Sequence, residues 1–159
     1  MIDARRAGPD DARELMALRA VMLGSIGGTP APPGDWQRTG EDLLRVRLDA
    51  DDRAFAAFVV DRPGEPGLAA GVVGQVDQRL PGPRDPTGLR GYVYSVATLP
   101  AYRRRGFSRA CMTALLDWFA GVGVRTVDLR ASAEGEPLYF SLGFRRTPDP
   151  AMRRISPAR

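Results

Sequence analysis

One segment limits the possible folds more than any other. Residues 89–131 read as an apolar strand, Leu89–Leu99 (LRGYVYSVATL), a proline-led turn with three consecutive arginines, an amphipathic helix, and a second strand, Val124–Ala131 (VRTVDLRA). The first strand is apolar on both faces, as a central strand is. In the helix, Phe107, Ala110, Cys111, Ala114, Leu115, Trp118 and Phe119 recur at steps of three and four and make one wide apolar stripe. Gly121 and Gly123 stop it, and Val127, Leu129 and Ala131 then alternate with Asp128 and Arg130, as in a half-buried strand. Strand, helix and strand in this order make a parallel pair joined by a right-handed crossover.

The rest of the chain surrounds that unit. A short strand at Ile2–Arg6 precedes Gly8-Pro9-Asp10-Asp11, which supplies a stop and negative charge at a helix start. The following helix sets Leu15, Leu18, Met22 and Ile26 on one side. Gly24–Gly34 (GSIGGTPAPPG) is rich in glycine and proline and reads as a flexible loop or lid. A second helix is expected from Asp35 to about Asp49, with Trp36, Leu43 and Val46 inward. Arg53–Arg62 and Leu68–Arg79 read as an antiparallel hairpin around Pro63–Gly67, and a second Pro/Gly loop, Leu80–Gly88, leads to the central strand. Beyond the parallel unit, Glu136-Pro137 opens a short helix through Leu142, closed by Gly143. Phe144–Thr147 and Ala151–Ile155 are expected as two last strands around Pro148-Asp149-Pro150. Residues 1–159 show no internal repeat, and their number suits one domain.

Missing residue types remove whole chemistries. There is no histidine, and all 23 basic residues are arginine. A Ser-His-Asp triad, an imidazole base, a histidine metal site and Schiff-base catalysis by lysine are therefore excluded. The one cysteine, Cys111, lies on the apolar stripe, where it reads as buried filler, and alone it builds neither an internal disulfide nor a thiolate metal site. No metal is expected. The start, MIDARRAGPDDARELM, lacks the apolar core of a secretory signal, and the apolar runs are too short to cross a bilayer, so a cytoplasmic protein without a membrane partner is expected. The net charge of +4 points only weakly to anionic partners.

The chemistry concentrates in Val96–Ala110, VATLPAYRRRGFSRA. Arg103, Arg104 and Arg105 stand at the positive end of a helix macrodipole, where cations are disfavoured by about 0.3–1 kcal/mol each. A bound anion resolves that conflict, because free backbone N–H groups, the dipole and the guanidinium forks all point at it. Gly106 lets the backbone approach closely. The alternative is a solvated basic turn.

Arg103-x-x-Gly106-x-Ser108, after a strand ending Val96-Ala97-Thr98-Leu99-Pro100, resembles the acetyl-coenzyme-A signature of the GNAT superfamily of N-acetyltransferases. Leu138-Tyr139-Phe140-Ser141-Leu142-Gly143-Phe144 resembles the family's second motif, and the order of elements matches as well. The resemblance implies an α/β fold of about four helices around a mixed, mostly antiparallel sheet of six or seven strands, with a parallel, splayed pair at its centre. It implies acetyl-CoA as co-substrate, with pantetheine pairing against the backbone of Val96, Ala97 and Thr98. The pyrophosphate would rest on the N–H groups from Arg104 through Gly106 and Phe107 to Ser108, with Arg103, Arg104 and Arg105 supplying charge. Ser108 departs from the usual small residue of the signature, and its hydroxyl offers a phosphate hydrogen bond. Tyr139 matches the tyrosine that protonates the leaving thiolate in many members; on position alone it reads as a packed aromatic.

The base stays open. Many members carry a glutamate in the fourth strand, where this chain reads Gly91-Tyr92-Val93-Tyr94-Ser95. A proton can leave through water to Ser95, Tyr94 or a backbone carbonyl, and Asp35, Glu41, Glu134 and Glu136 are further candidates. The expected activity is acetyl transfer to a primary amine of a small molecule or peptide, with the acceptor unread and a homodimer an open expectation from the family. The competing reading is a coenzyme-binding or sensor domain without transfer activity, motivated by the missing strand carboxylate. Nucleic-acid binding is not expected, because 19 acidic residues are scattered among the arginines and no nucleic-acid motif appears.

Overall fold

Alternation along the hairpin sets the sheet, and the sheet sets everything packed on it. The computed structural model describes residues 1–49 and 51–159. In chain order the elements are β1 (Arg5–Arg6), α1 (Ala12–Gly27), α2 (Asp35–Arg47), β2 (Phe55–Asp61), β3 (Leu68–Gln78), β4 (Leu89–Thr98), α3 (Phe107–Gly121), β5 (Thr126–Leu129) and α4 (Glu136–Ser141), with 3₁₀ turns at Pro9–Asp11 and Pro100–Tyr102. The strands form one five-stranded sheet in the order β1-β2-β3-β4-β5. Every neighbouring pair is antiparallel except β4 and β5, which run parallel.

Successive strand residues face opposite sides, and each side has its own core. Phe55, Ala57, Val59 and Val73 pack with Leu15 and Leu18 of α1 and Leu44 of α2. Val60, Val72 and Val93 pack with Phe107, Cys111, Met112, Leu115 and Phe119 of α3 and Tyr139 of α4. The sheet is thus a central layer with α1 and α2 on one face and α3 and α4 on the other. Phe119 lies over two glycines, since a Cβ at Gly74 or at Gly91 would sit 2.9 Å from its ring.

The expected strand count is corrected to five among the described residues. Phe144–Thr147 and Ala151–Ile155 form no strands. Instead Arg146 ion-pairs with Glu136 at 2.7 Å and lies over the Phe140 ring at 5.6 Å, which wraps the segment onto α4. Without those strands β5 is an outer strand, so the parallel pair lies at one edge of the sheet and not at its centre. The first strand shrinks to Arg5–Arg6.

Two further expectations change. Gly24–Gly27 belongs to α1, which ends on Gly28 in the left-handed conformation (φ 76°), so the loop starts later; Ile26 is consequently 67% exposed. In α2 the inward residue is Leu44, followed by Leu48 just past the helix end, whereas Leu43 and Val46 are exposed and Trp36 is half-buried. Gly40, one turn before Leu44, explains the choice of face: a Cβ there would collide with the Met16 thioether of α1, so the two helices meet along Gly40, Leu44 and Leu48.

Charge fastens the N-terminal edge. Arg5 donates to both oxygens of Asp11 at 2.8 Å and to Asp61 at 2.8 and 2.9 Å, while Asp11 also accepts the Gly8 N–H at 2.8 Å. The Arg5 guanidinium holds both carboxyls below their ordinary range. Both carboxylates have depressed folded values, so their contribution is present above the unfolded pKa near ~4 and lost as pH falls through the lowered values. Arg5→Ala is expected to cost about 1 kcal/mol near neutral pH, discounted for the exposure of the pair. Denaturant melts of both proteins at about pH 7 and about pH 2 check this, with the gap closing at the lower pH. No helix is long and apolar enough to cross a membrane among the described residues.

Candidate active site

The parallel pair does not stay paired. Arg90 to Val93 of β4 match Thr126 to Leu129 of β5, and the pairing ends at Val93. On the other side of β4 the register with β3 passes from Val73↔Tyr94 to Gly71↔Ala97, so Ser95 and Val96 together oppose one residue. That is a β-bulge, which bends a strand and re-aims its side chains. Ser95 adopts φ 55°, left-handed for a non-glycine residue, where strain of about 1–3 kcal/mol is held by surrounding structure. Its hydroxyl accepts a hydrogen bond from Arg19 Nη1 of α1 at 2.8 Å. From Ser95 to Thr98 the edge of β4 that faced β5 runs without a strand partner, with backbone donors and acceptors to offer.

The open edge leads to the start of α3. Gly106, the residue before the helix, has φ 84° and caps it without a side-chain hydrogen bond. The first N–H groups of an α-helix lack intrahelical partners, and the ladder here begins with Ala110 N–H to Gly106 O at 3.0 Å. The N–H groups of Phe107, Ser108 and Arg109 therefore face outward at the positive end of the dipole. Phe107 contributes only backbone, because its ring is buried. Ser108 Oγ lies 2.6 Å from Thr98 Oγ1, joining the helix start to the strand end.

The three arginines differ. Arg103 donates to the Thr98 carbonyl at 3.3 Å and the Ser25 hydroxyl of α1 at 3.2 Å. Arg105 lies over Tyr102 at 5.6 Å, and Tyr102 in turn stacks on Phe107 and donates to Glu65 at 2.6 Å. Arg104 is exposed, with φ 64°. A cationic rim thus surrounds the outward N–H groups, and such an arrangement attracts a polyanion.

Tyr139 sits on the α3 side, in the same core as Val93, Val96 and Leu129. It is 9% exposed, its ring lies against Gly135, and Phe144 meets it edge-on at 6.0 Å. Burial alone raises its pKa beyond that of an ordinary tyrosine, so its hydroxyl is a proton donor at neutral pH. Burial likewise pushes the Cys111 thiol up to about 12, which makes it a poor nucleophile.

The carboxylates weighed as bases are ion-paired or exposed. Asp35 pairs with Arg38, Glu41 with Arg45 and Glu136 with Arg146; Glu134 is exposed before α4. Tyr94 stands beside Ser95, and burial raises its pKa while Arg47 and Arg19 lower it and Asp77 raises it. The sequence reading missed Arg19. Its signal is position: 15, 18, 19 and 22 follow the inward steps of a helix, so a cation occupies the stripe of Leu15, Leu18 and Met22.

The comparisons agree with this geometry. The model of the acetyltransferase (GNAT) family matches residues 28–144. The chain resembles a crystal structure of a predicted acetyltransferase with acetyl-CoA from Clostridium acetobutylicum, at 20% identity over 97% of this chain and 96% of that one, TM-score 0.81. A GCN5-related N-acetyltransferase from Ralstonia eutropha gives 25% identity, coverage of 97% and 99%, and TM-score 0.77. Glucosamine-6-phosphate N-acetyltransferase from Arabidopsis thaliana gives 14%, coverage of 98% and 99%, and TM-score 0.76. A search of curated proteins finds no match. A family match over most of the chain, on a fold whose parallel strands part beside an uncapped helix start, places the protein in the acetyltransferase (GNAT) family, and so among the acyltransferases.

Proposed function

We propose that the protein moves an acetyl group from acetyl-CoA directly to a primary amine. The observation that carries this is the parting of β4 from β5 after Val93, with the bulge at Ser95, beside the uncapped start of α3. The residues fit the coenzyme. The open backbone of Val96, Ala97 and Thr98 suits the amides of pantetheine, and the outward N–H groups from Arg104 through Gly106 and Phe107 to Ser108 suit the pyrophosphate, with Arg104 and Arg105 at the rim. Arg103 fastens the phosphate loop to α1 through Ser25 and to the end of β4 through Thr98. When bound, the coenzyme supplies an activated acyl thioester.

The chain's part in the reaction is positioning and proton handling. Strand N–H groups polarise the carbonyl, and an amine held at the fork attacks its carbon. A C–N bond forms, the C–S bond breaks, and the Tyr139 hydroxyl gives its proton to the leaving sulfur. The proton lost from the amine leaves by way of the Ser95 hydroxyl and water, since no carboxylate occupies the fourth strand.

Acetyl-CoA at about 100 times its Kd is expected to stabilise the protein by about 2.7 kcal/mol, a rise of about 5–10 °C in Tm for a domain of this size. In an Arg103→Ala, Gly106→Glu double variant the ligand-induced rise is expected to vanish, because a carboxylate side chain at φ 84° both strains the turn and fills the anion's place. The quantity to compare is the shift and not the absolute Tm. Absence of a shift in folded wild type removes the proposal. A shift with no CoA release from any amine favours the binding-domain reading.

A further inference from the structure

We infer that the acceptor is an amine carrying a carboxylate, an amino acid or a close relative, and that Arg19 is the residue that selects it. This rests on the transfer reaction proposed above. Elements on both faces of the sheet flank the fork at Ser95. The uncapped start of α3 lies on one side, together with Tyr139. Arg19 comes from α1 on the opposite face and touches the fork residue itself, Ser95, at 2.8 Å. An acceptor entering from the α1 side meets Arg19 as it reaches the thioester carbon.

The charge balance on that face singles Arg19 out. Arg47 is paired with Asp52 at 3.2 Å and lies over the Phe55 ring, and Arg90 is paired with Asp128 at 3.3 Å. Arg19 is half-buried, and among the described residues its one hydrogen bond goes to a neutral hydroxyl. A guanidinium carries several N–H donors in a planar fork that matches a carboxylate bidentately. With Nη1 turned to Ser95, the remaining donors carry a charge that no ion pair neutralises among the described residues; the Asp77 carboxylate, which shares the surroundings of Tyr94 with Arg19, accepts instead from Gln75 at 2.9 Å. One free guanidinium balances one monoanion, and Arg47 and Arg90 are already neutralised, while Arg103, which has no ion pair among the described residues, is held to Ser25 and the Thr98 carbonyl. A polycationic aminosugar meets repulsion. The hydroxyl contact also sets reach, because a carboxylate on Arg19 places an amine a short carbon chain away at the fork.

The test compares L-amino acids with their carboxamides, which keep the amine and lose the charge. CoA release with acetyl-CoA is measured for wild type, Arg19→Ala and Arg19→Lys. Wild type is expected to prefer the acids by about 10- to 100-fold in kcat/KM, the worth of a charge-assisted hydrogen-bond pair. The acid-to-amide ratio is expected to collapse toward one in Arg19→Ala and to recover in part in Arg19→Lys, which keeps charge without the planar fork. A second readout needs no turnover: N-acetyl amino acids, the products, are expected to raise the Tm of the CoA-loaded wild type and not of CoA-loaded Arg19→Ala. Equal use of acids and amides, a preference untouched by either variant, or better use of glucosamine-6-phosphate or an aminoglycoside overturns the inference while leaving acetyl transfer standing. Failure of acetyl-CoA to shift the Tm, by contrast, strikes the transfer reaction itself, and Arg19-independent binding of the N-acetyl acids then removes the inference as well.

Discussion

Tyr139→Phe is expected to lower kcat by about 10²–10⁴-fold, the usual weight of a general acid in the transition state. The substitution removes one oxygen and keeps the ring that packs against Gly135 and Phe144. Folding and coenzyme affinity should therefore hold, and the loss should fall on kcat with little change in KM. Two readouts separate proton donation from packing. Burial raises the Tyr139 pKa beyond that of an ordinary tyrosine, so its protonated form persists through neutral pH and the wild-type rate falls only far on the alkaline side; the variant should lack that limb. A thioester with a more acidic thiol needs less help in leaving, and should narrow the gap between the two proteins. A kcat unchanged by the substitution would assign Tyr139 to the core alone.

The largest effect on stability is expected at Phe119. The ring is 1% exposed and fills the hollow over Gly74 and Gly91 on neighbouring strands, against Leu115 of its own helix. Phe119→Ala is expected to cost about 3–5 kcal/mol, toward the upper end because the hollow is floored by rigid strand backbone that cannot fold inward. For a domain of this size that lowers Tm by roughly 6–20 °C. Calorimetry or a denaturant melt reads it, and a fall of under about 1 kcal/mol would mean the hollow collapses after all.

The strands and helices that build the fork were readable in the residues, because each has one dominant physical cause. The stripe from Phe107 to Phe119 has helical period, and the structure buries Phe107, Cys111, Leu115 and Phe119 from it, adding Met112. The run Leu89–Leu99 is apolar on both faces, and β4 lies between two packed layers. Legibility ends where a tertiary contact outweighs a local pattern. The face of α2 follows from a glycine that admits Met16, and a count of apolar residues treats glycine as blank. The last two strands read from Phe144 onward gave way to Arg146 on Glu136 and Phe140, a contact between segments that no periodicity records. Arg103–Ser108 stood out at once, since cations at a helix start contradict the dipole. Ser95 was visible only as a hydroxyl. Its positive φ, and the Arg19 contact, depend on a bulge that register with β3 creates.

The fork at Ser95 also bears on kinetic order. Donor and acceptor that reach it from opposite faces of the sheet do not share a doorway, so neither has to leave before the other arrives. A nucleophile of the protein that holds the acyl group between two visits is then superfluous, and the buried thiol of Cys111 is not built to be one. On the proposed transfer reaction the expected order is a ternary complex, in which whichever product leaves first vacates its own mouth without waiting for the other.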